Sequence, residues 1–322
     1  MVIVAVAGGT GHLGRTIVEA IIATGKHEVK VLSRTSNPEL ETMLGVPVIP
    51  IDYLDVDSLT KKLEDLGIHT VVSALSNYDD AKGNRPPELE LIRAADASLV
   101  TKRMVASRWS APYSDGHVGQ VSSVANIQNA QVALQKTSNL EYTAFYSGYF
   151  LDYWGLPVVP SHMPPFTMVL DIANDSAVIL GSGNVPVTFT HTRDTAKFVA
   201  ASLDLDKWDP ETYVMGDKMT FNEALHLAED VKRTKFSVVY DSVEKLKSGQ
   251  TTELPGQVAL YSILPKEILQ YMIGVHGVWF EEGVYNLKPV RFLNEQFPQI
   301  KPIKVKGLLE QAWKKAHNPL DD

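Results

Sequence analysis

The chain has 322 residues, 44% of them hydrophobic and 21% charged, with a formal net charge of −8. This is the composition of an ordinary globular protein of one large or two modest domains, and its acidic balance argues against nucleic acid or an anionic membrane as a partner held by overall charge. Cysteine is absent, which excludes disulfides, thiolate catalysis and zinc–thiolate sites.

The opening run VIVAVA, residues 2–7, has no basic segment before it and is too short for a signal peptide core or a membrane span, so it reads as a buried strand. No other window approaches twenty apolar residues, and repeats and low-complexity tracts are missing, so a folded cytoplasmic chain is expected. After the glycines of GGTGHLG, Leu13, Ile17 and Ile21 recur at spacing four as far as Gly25, which is placed to end that helix. Further apolar runs at 28–33, 46–51, 70–75 and 103–107 read as strands. Between the third and fourth, Leu59, Leu63 and Leu66 share a helical face, with Asp57 or Ser58 available as N-cap. The stretch PPELELIRAADAS before the fifth run opens with proline at a first turn and continues with good helix formers. Strands apolar on both faces and joined by helices predict an α/β fold, a Rossmann-type doubly wound parallel sheet.

The glycine cluster carries the chemistry of this half. Gly8, Gly11 and Gly14, with Thr10, His12 and Leu13 between them, stand directly between the first strand and the first helix. Glycine lets the backbone turn tightly and come close to a pyrophosphate, and the helix start offers free N–H groups to it. His12 reads as a backbone phosphate contact. A fold that selects NAD places an acid about twenty residues further on, at the end of the second strand. Here Ser33 and Arg34 occupy that end, and an arginine fork suits the 2′-phosphate of NADP(H). Asp52 and Tyr53 close the third strand, where an adenine would lie, and Ala74, Leu75 and Ser76, in the SALS that ends the fourth, would border pyrophosphate and ribose.

These stretches, together with SNLEYTAFYSGYFLDYWG at 138–155 and HTRDTAKFVA at 191–200, resemble the NmrA-like and isoflavone-reductase-like branch of the atypical short-chain dehydrogenases. The resemblance thins after about residue 225, where FPQIKP and LLEQAWKKA still echo it. It implies an aromatic loop, with Gly148 and Phe150, beside the nicotinamide, and a catalytic lysine about fourteen residues before the Tyr142-Thr143 pair. That count reaches Gln128, which can accept or donate a hydrogen bond but carries no charge. Where the family reads Pro-Ser-Glu-Trp-Gly, this chain has Ala106, Ser107, Arg108, Trp109 and Ser110. The spacing YxxxK occurs once, at Tyr78 to Lys82, in what reads as a solvated loop.

From Tyr149 onward aromatic residues cluster, so residues 1–150 are expected to hold NADP(H) and 151–322 mainly to shape the substrate pocket, with about 185–215 returning to the first unit. Tyr146, Tyr149, Tyr113 and His117 are the candidate proton sources, with Gln128 orienting the substrate. The apolar stretch 261–280 could be pocket wall, core helix or dimer surface. No GxSxG elbow and no HExxH or HxxxH array occurs, so neither a serine nucleophile nor a metal site is expected. Two readings follow: an NADPH-dependent reductase, or cofactor-scaffolded enzyme, acting on an aromatic or heterocyclic small molecule; or a redox sensor that binds NADP(H) without turnover and docks to a partner protein. A homodimer is compatible with either.

Overall fold

The computed structural model describes residues 1–80 and 82–314. Its first half alternates strand and helix: β1 (Ile3–Ala7), α1 (His12–Thr24), β2 (Glu28–Ser33), α2 (Pro38–Leu44), β3 (Val48–Pro50), α3 (Val56–Asp65), β4 (Ile68–Ser73), α4 (Glu88–Ala97), β5 (Arg103–Ala106), α5 (Ser122–Gln135) and β6 (Glu141–Tyr146). The second half adds β7 (Tyr149–Phe150), β8 (Leu170–Asp171), β9 (Ser176–Leu180), β10 (Val187–Thr190), α6 (Thr192–Ser202), β11 (Glu211–Tyr213), β12 (Asp217–Met219), α7 (Phe221–Lys232), β13 (Ser237–Asp241), α8 (Val243–Lys247), α9 (Lys266–Glu281) and α10 (Val305–Trp313).

A seven-stranded sheet in the order β11-β6-β5-β4-β1-β2-β3 is parallel throughout. Val4, Ala5, Val6 and Ala7 of its central strand are wholly buried, as a sheet covered on both faces requires. Val4 and Val6 face a cluster with Ile17 and Val18 of α1 and Phe198 and Val199 of α6. Ala5 and Ala7 face Leu59 and Leu63 of α3, Leu91 of α4 and Leu134 of α5. The strand order reverses at β1, so the C-terminal ends of β1 and β4 flank the crevice in which such sheets bind ligands.

Several boundaries differ from expectation for local reasons. β4 spans Ile68–Ser73 rather than 70–75, because it pairs with β1 in a register that sets Ser73 against Ala7, where β1 itself turns away. The helix after β3 is capped by Asp55, not Asp57 or Ser58; the Asp55 carboxylate accepts the Ser58 N–H at 2.9 Å. β3 keeps only three residues of 46–51. β5 stops at Ala106, since the Ser107 N–H leaves the ladder to bond Glu88.

The later segments form two small sheets, β12-β10-β7 and β13-β9-β8. Their core is aromatic: the rings of Tyr149, Trp154, Phe189, Phe221 and Phe280 meet at centroid distances of 4.8 to 6.4 Å. The stretch 261–280 is chiefly a core helix, α9, which buries Leu269, Ile273, Trp279 and Phe280. From this half, α6 packs on α1 and β11 joins the edge of the large sheet beside β6. Trp313 of α10 bonds the Trp154 carbonyl at 2.6 Å; the last two residues of LLEQAWKKA lie outside the described residues. Among the described residues no helix is long and apolar enough to cross a membrane, and no group of His, Asp or Glu side chains could hold a metal ion.

Candidate active site

The turn between β1 and α1 is closed by its own backbone: Gly8 N–H bonds Leu32 O at 3.2 Å and Gly11 N–H bonds Gly8 O at 3.0 Å. Each glycine has its own reason. Gly8 has φ +74°, and a Cβ there would stand 2.8 Å from the Ala74 carbonyl oxygen. At Gly14 a Cβ would lie 2.2 Å from Gly8 O, so this glycine lets α1 approach the turn. Gly11 is different: a Cβ would meet only Gly8 O, at 3.4 Å, so the protein itself has room there. Gly11 is also the N-cap of α1, without a side-chain cap and with no acid in the first turn. A helix N-terminus with free N–H groups, no competing carboxylate and open space above it fits a pyrophosphate. Thr10 is exposed beside it and Leu13 is buried beneath. The His12 ring is held through Nδ1, 2.7 Å from the His162 carbonyl oxygen.

Ser33 is buried at the end of β2 and Arg34 is exposed. Among the described residues Arg34 has no hydrogen bond or ion pair, and its charge acts on Tyr53. An unpaired guanidinium next to an open cradle is a site for an anion. Asp52 and Tyr53 prove more structural: Asp52 accepts its own turn's Leu54 N–H at 2.9 Å, and buried Tyr53 donates to Leu32 O at 3.0 Å under the glycine turn. Ala74 and Leu75 line the turn through the Gly8 contact, and the Leu75 carbonyl accepts Ser107 Oγ at 2.7 Å. The Ser76 hydroxyl accepts the Tyr78 N–H at 3.1 Å.

Beneath these residues lies a buried carboxyl that the sequence did not single out. Glu88, the first residue of α4, accepts the Ser73 hydroxyl and, at 3.1 Å, the Ser107 N–H. Trp109 Nε1 bonds Ser73 O at 3.2 Å. Burial raises the Glu88 pKa against the lowering effect of these donors and of Arg108. In PPELELI this acid looks like any first-turn helix acid; only the fold reveals that it ties the ends of β4 and β5 together.

That tie leads the chain to Ser110, whose carbonyl accepts the Gly148 N–H at 2.9 Å as β6 ends. Ser110, Tyr113 and Tyr285 bring three hydroxyls together, with oxygen–oxygen distances of 3.1, 3.1 and 3.2 Å. Gln128 on α5 donates to the Tyr113 carbonyl at 2.9 Å, so it positions this loop. The Tyr113 ring packs on Trp279 at 4.9 Å and near His117 at 6.3 Å. His117 Nδ1 accepts the Ser114 N–H at 3.0 Å, and its Nε2 lies 3.4 Å from Glu282. Tyr78 is not simply a solvated loop residue: the residue is 44% exposed, yet its hydroxyl bonds Ser123 beside Tyr113. The Lys82 backbone N–H donates to the Asp80 carboxylate at 2.8 Å; Ala81, within that YxxxK run, lies outside the described residues. Burial raises the Tyr113 pKa despite its two hydroxyl neighbours, so at neutral pH Tyr113 carries its proton.

Tyr113, His117 and Gln128 are thus brought together, whereas two other candidates are core residues. The Tyr146 hydroxyl receives Arg108 Nη1 at 2.7 Å and faces Glu211 at 3.3 Å, and its ring stacks on Tyr213. The Tyr149 hydroxyl is buried with no partner among the described residues, inside the aromatic cluster. Neither hydroxyl can reach a ligand, because both side chains are buried between packed elements. Gly148 has φ +73° and a Cβ would lie 2.1 Å from Thr188 O, so its crossing over β10 alone requires glycine. Phe150, half-buried, packs on the cluster that contains Leu13. Arg108 is buried and bonds Ile127 O at 3.0 Å on α5.

The fold and the cradle define a dinucleotide-binding α/β protein. A family described as NAD(P)H-binding matches residues 8–154. The chain is 39% identical over 305 residues to the oxidoreductase BOA1 of Botryotinia fuckeliana, covering 94% of this chain and 96% of that one. It is 30% identical over 222 residues to pinoresinol reductase 2 of Arabidopsis thaliana, covering 65% of each. A structure described as AtPrR2 with NADP+ and (+)pinoresinol superposes with a TM-score of 0.72 at 24% identity, covering 96% of this chain and 98% of the other. The chain belongs to the NmrA-like, isoflavone-reductase-like family of NAD(P)H-binding oxidoreductases.

Proposed function

We propose that this chain is an NADPH-dependent reductase of an aromatic or heterocyclic small molecule, with Tyr113 as the proton donor. The observation that carries this reading is the pairing of partly exposed Ser110 and Tyr113 in the loop after β5, which the Ser110 carbonyl ties to Gly148 at the end of β6. Gly11 and the α1 N-terminus would hold the pyrophosphate, and Arg34 the 2′-phosphate. Bound NADPH would supply a hydride. The chain's own contribution is a protonated Tyr113 and, with Tyr78, an aromatic surface suited to a flat substrate, backed by buried Trp279 behind the Tyr113 ring. The relative named as a pinoresinol reductase and the neighbour solved with NADP+ and (+)pinoresinol support reductive chemistry on such a molecule.

The test is to offer the purified chain NADPH with a panel of aromatic and heterocyclic enones, imines and ketones and to follow loss of the reduced-nicotinamide absorbance. The reading expects turnover with some members, and a Tyr113→Phe variant slower in kcat by about a hundredfold, the scale of general acid catalysis, with KM little changed. Gln128, standing where the family has lysine, favours a second reading as a sensor. Tight NADPH binding without oxidation by any member of the panel would support the sensor and overturn the reductase.

A further inference from the structure

The three hydroxyls at the site form a closed ring. Tyr113 donates to Ser110 Oγ at 3.1 Å, Ser110 donates to the Tyr285 oxygen at 3.1 Å, and the 3.2 Å edge between the tyrosines completes the cycle when Tyr285 donates to Tyr113. Three hydroxyls own three protons, so the ring satisfies itself and keeps a free lone pair on every oxygen. Ser110 and Tyr113 stay partly exposed, while Tyr285 is 3% exposed and forms the back of the ring. An arriving ligand oxygen can take the Tyr113 hydrogen bond without stranding a buried donor, since Ser110 can rotate its O–H toward Tyr113.

We infer that Ser110, Tyr113 and Tyr285 form a binding site for a negatively charged ligand oxygen, a phenolate or enolate, in which Tyr285 is the positioning residue. The inference rests on the reductase reading for the step that follows. When the ligand oxygen accepts the proton, the Tyr113 O–H bond breaks, an O–H bond forms on the ligand, and the negative charge moves to the Tyr113 oxygen. Two donors, Tyr285 and the rotated Ser110, then hold that charge, as preorganised donors do for a developing oxyanion. The titratable groups packed around the ring are Tyr78, His117 with Glu282, and His276. His276 donates from Nδ1 to Met272 O, and burial keeps it neutral, so no fixed cation there competes to hold the ligand oxygen.

The experiment titrates the NADP+-loaded chain with 4-nitrophenol and reads the phenolate absorbance of the bound probe. The wild type should bind the probe as phenolate. Tyr285→Phe, which keeps the ring and loses one donor, should bind roughly tenfold more weakly and hold the probe more protonated at the same pH, with NADP+ affinity unchanged. Ser110→Ala should shift both readouts the same way, and it decides the matter if Tyr285→Phe fails to fold. A wild type that takes up no 4-nitrophenolate, or variants with wild-type affinity and spectrum, would overturn the inference. Failure to bind NADP+ would instead count against the reductase reading, and the titration on the nucleotide-free chain would still judge the ring.

Discussion

At the scale of single residues, the glycines separate two kinds of requirement that look alike in GGTGHLG. Gly14 is demanded by the protein, with a Cβ only 2.2 Å from Gly8 O, whereas the nearest atom to a Gly11 Cβ is 3.4 Å away. Gly14→Ala should therefore lower the unfolding midpoint in urea. Gly11→Val should leave the chain folded and abolish binding of both NADPH and NADH in calorimetry; a variant that binds normally would reduce the turn to a structural device. Arg34, without a hydrogen bond or ion pair among the described residues, should contribute about 1.5–3 kcal/mol to NADPH binding, the range for a charged hydrogen bond, and nothing to NADH. Calorimetry of Arg34→Ala with both nucleotides checks this, and an equal loss for the two would contradict the 2′-phosphate assignment. Tyr149→Phe removes a buried hydroxyl that has no partner, so it should stabilise the chain by about 1 kcal/mol and leave nucleotide binding intact, as urea unfolding and the same titration would show. The tight turn at Gly8 and Gly14 was legible because its requirement is local. Tyr149 was misread because sequence shows an aromatic side chain but not the direction of its hydroxyl.

At the scale of elements, the parallel strands were readable from apolar runs, since burial on both faces writes itself as continuous hydrophobicity. Their ends were not, because register decides them: β4 stops where β1 stops, and β5 stops where Glu88 takes the Ser107 N–H. Helix α6 shows a cap with a thermodynamic consequence. Its N-cap His191 accepts the Arg193 N–H through Nδ1 at 3.2 Å, so the 3.6 Å approach of that nitrogen to Asp152 is not an ion pair. Burial outweighs the two nearby aspartates and lowers the His191 pKa below its ordinary 6.5. The folded chain then binds fewer protons than the unfolded chain as pH falls beneath that value, and stability present above it is lost. His191→Asn retains a capping acceptor and removes this proton uptake, so its urea midpoint should fall less than that of wild type between about pH 7 and pH 5. An unchanged pH slope would assign the acid sensitivity to other groups, of which buried His276 has the same sign.

At the scale of the whole molecule, the hydroxyl ring joins Ser110 and Tyr113 from the loop after β5 to Tyr285, 172 residues beyond Tyr113. No spacing rule connects such positions, so the meeting of Tyr285 with Ser110 was invisible in the sequence, while the glycine turn between β1 and α1, compact in the chain, was plain. The same holds for β11, which comes back from the second half to edge the large sheet beside β6. We propose that the nucleotide is held at the Gly11 end of α1 and chosen by Arg34. The most direct measurement is calorimetric titration of the purified chain with NADPH, NADP+, NADH and NAD+ in one buffer. Tight binding of NADPH with much weaker binding of NADH is the predicted result. Equal affinities for the two would contradict the role given to Arg34, and no binding at all would overturn the reading of the glycine turn.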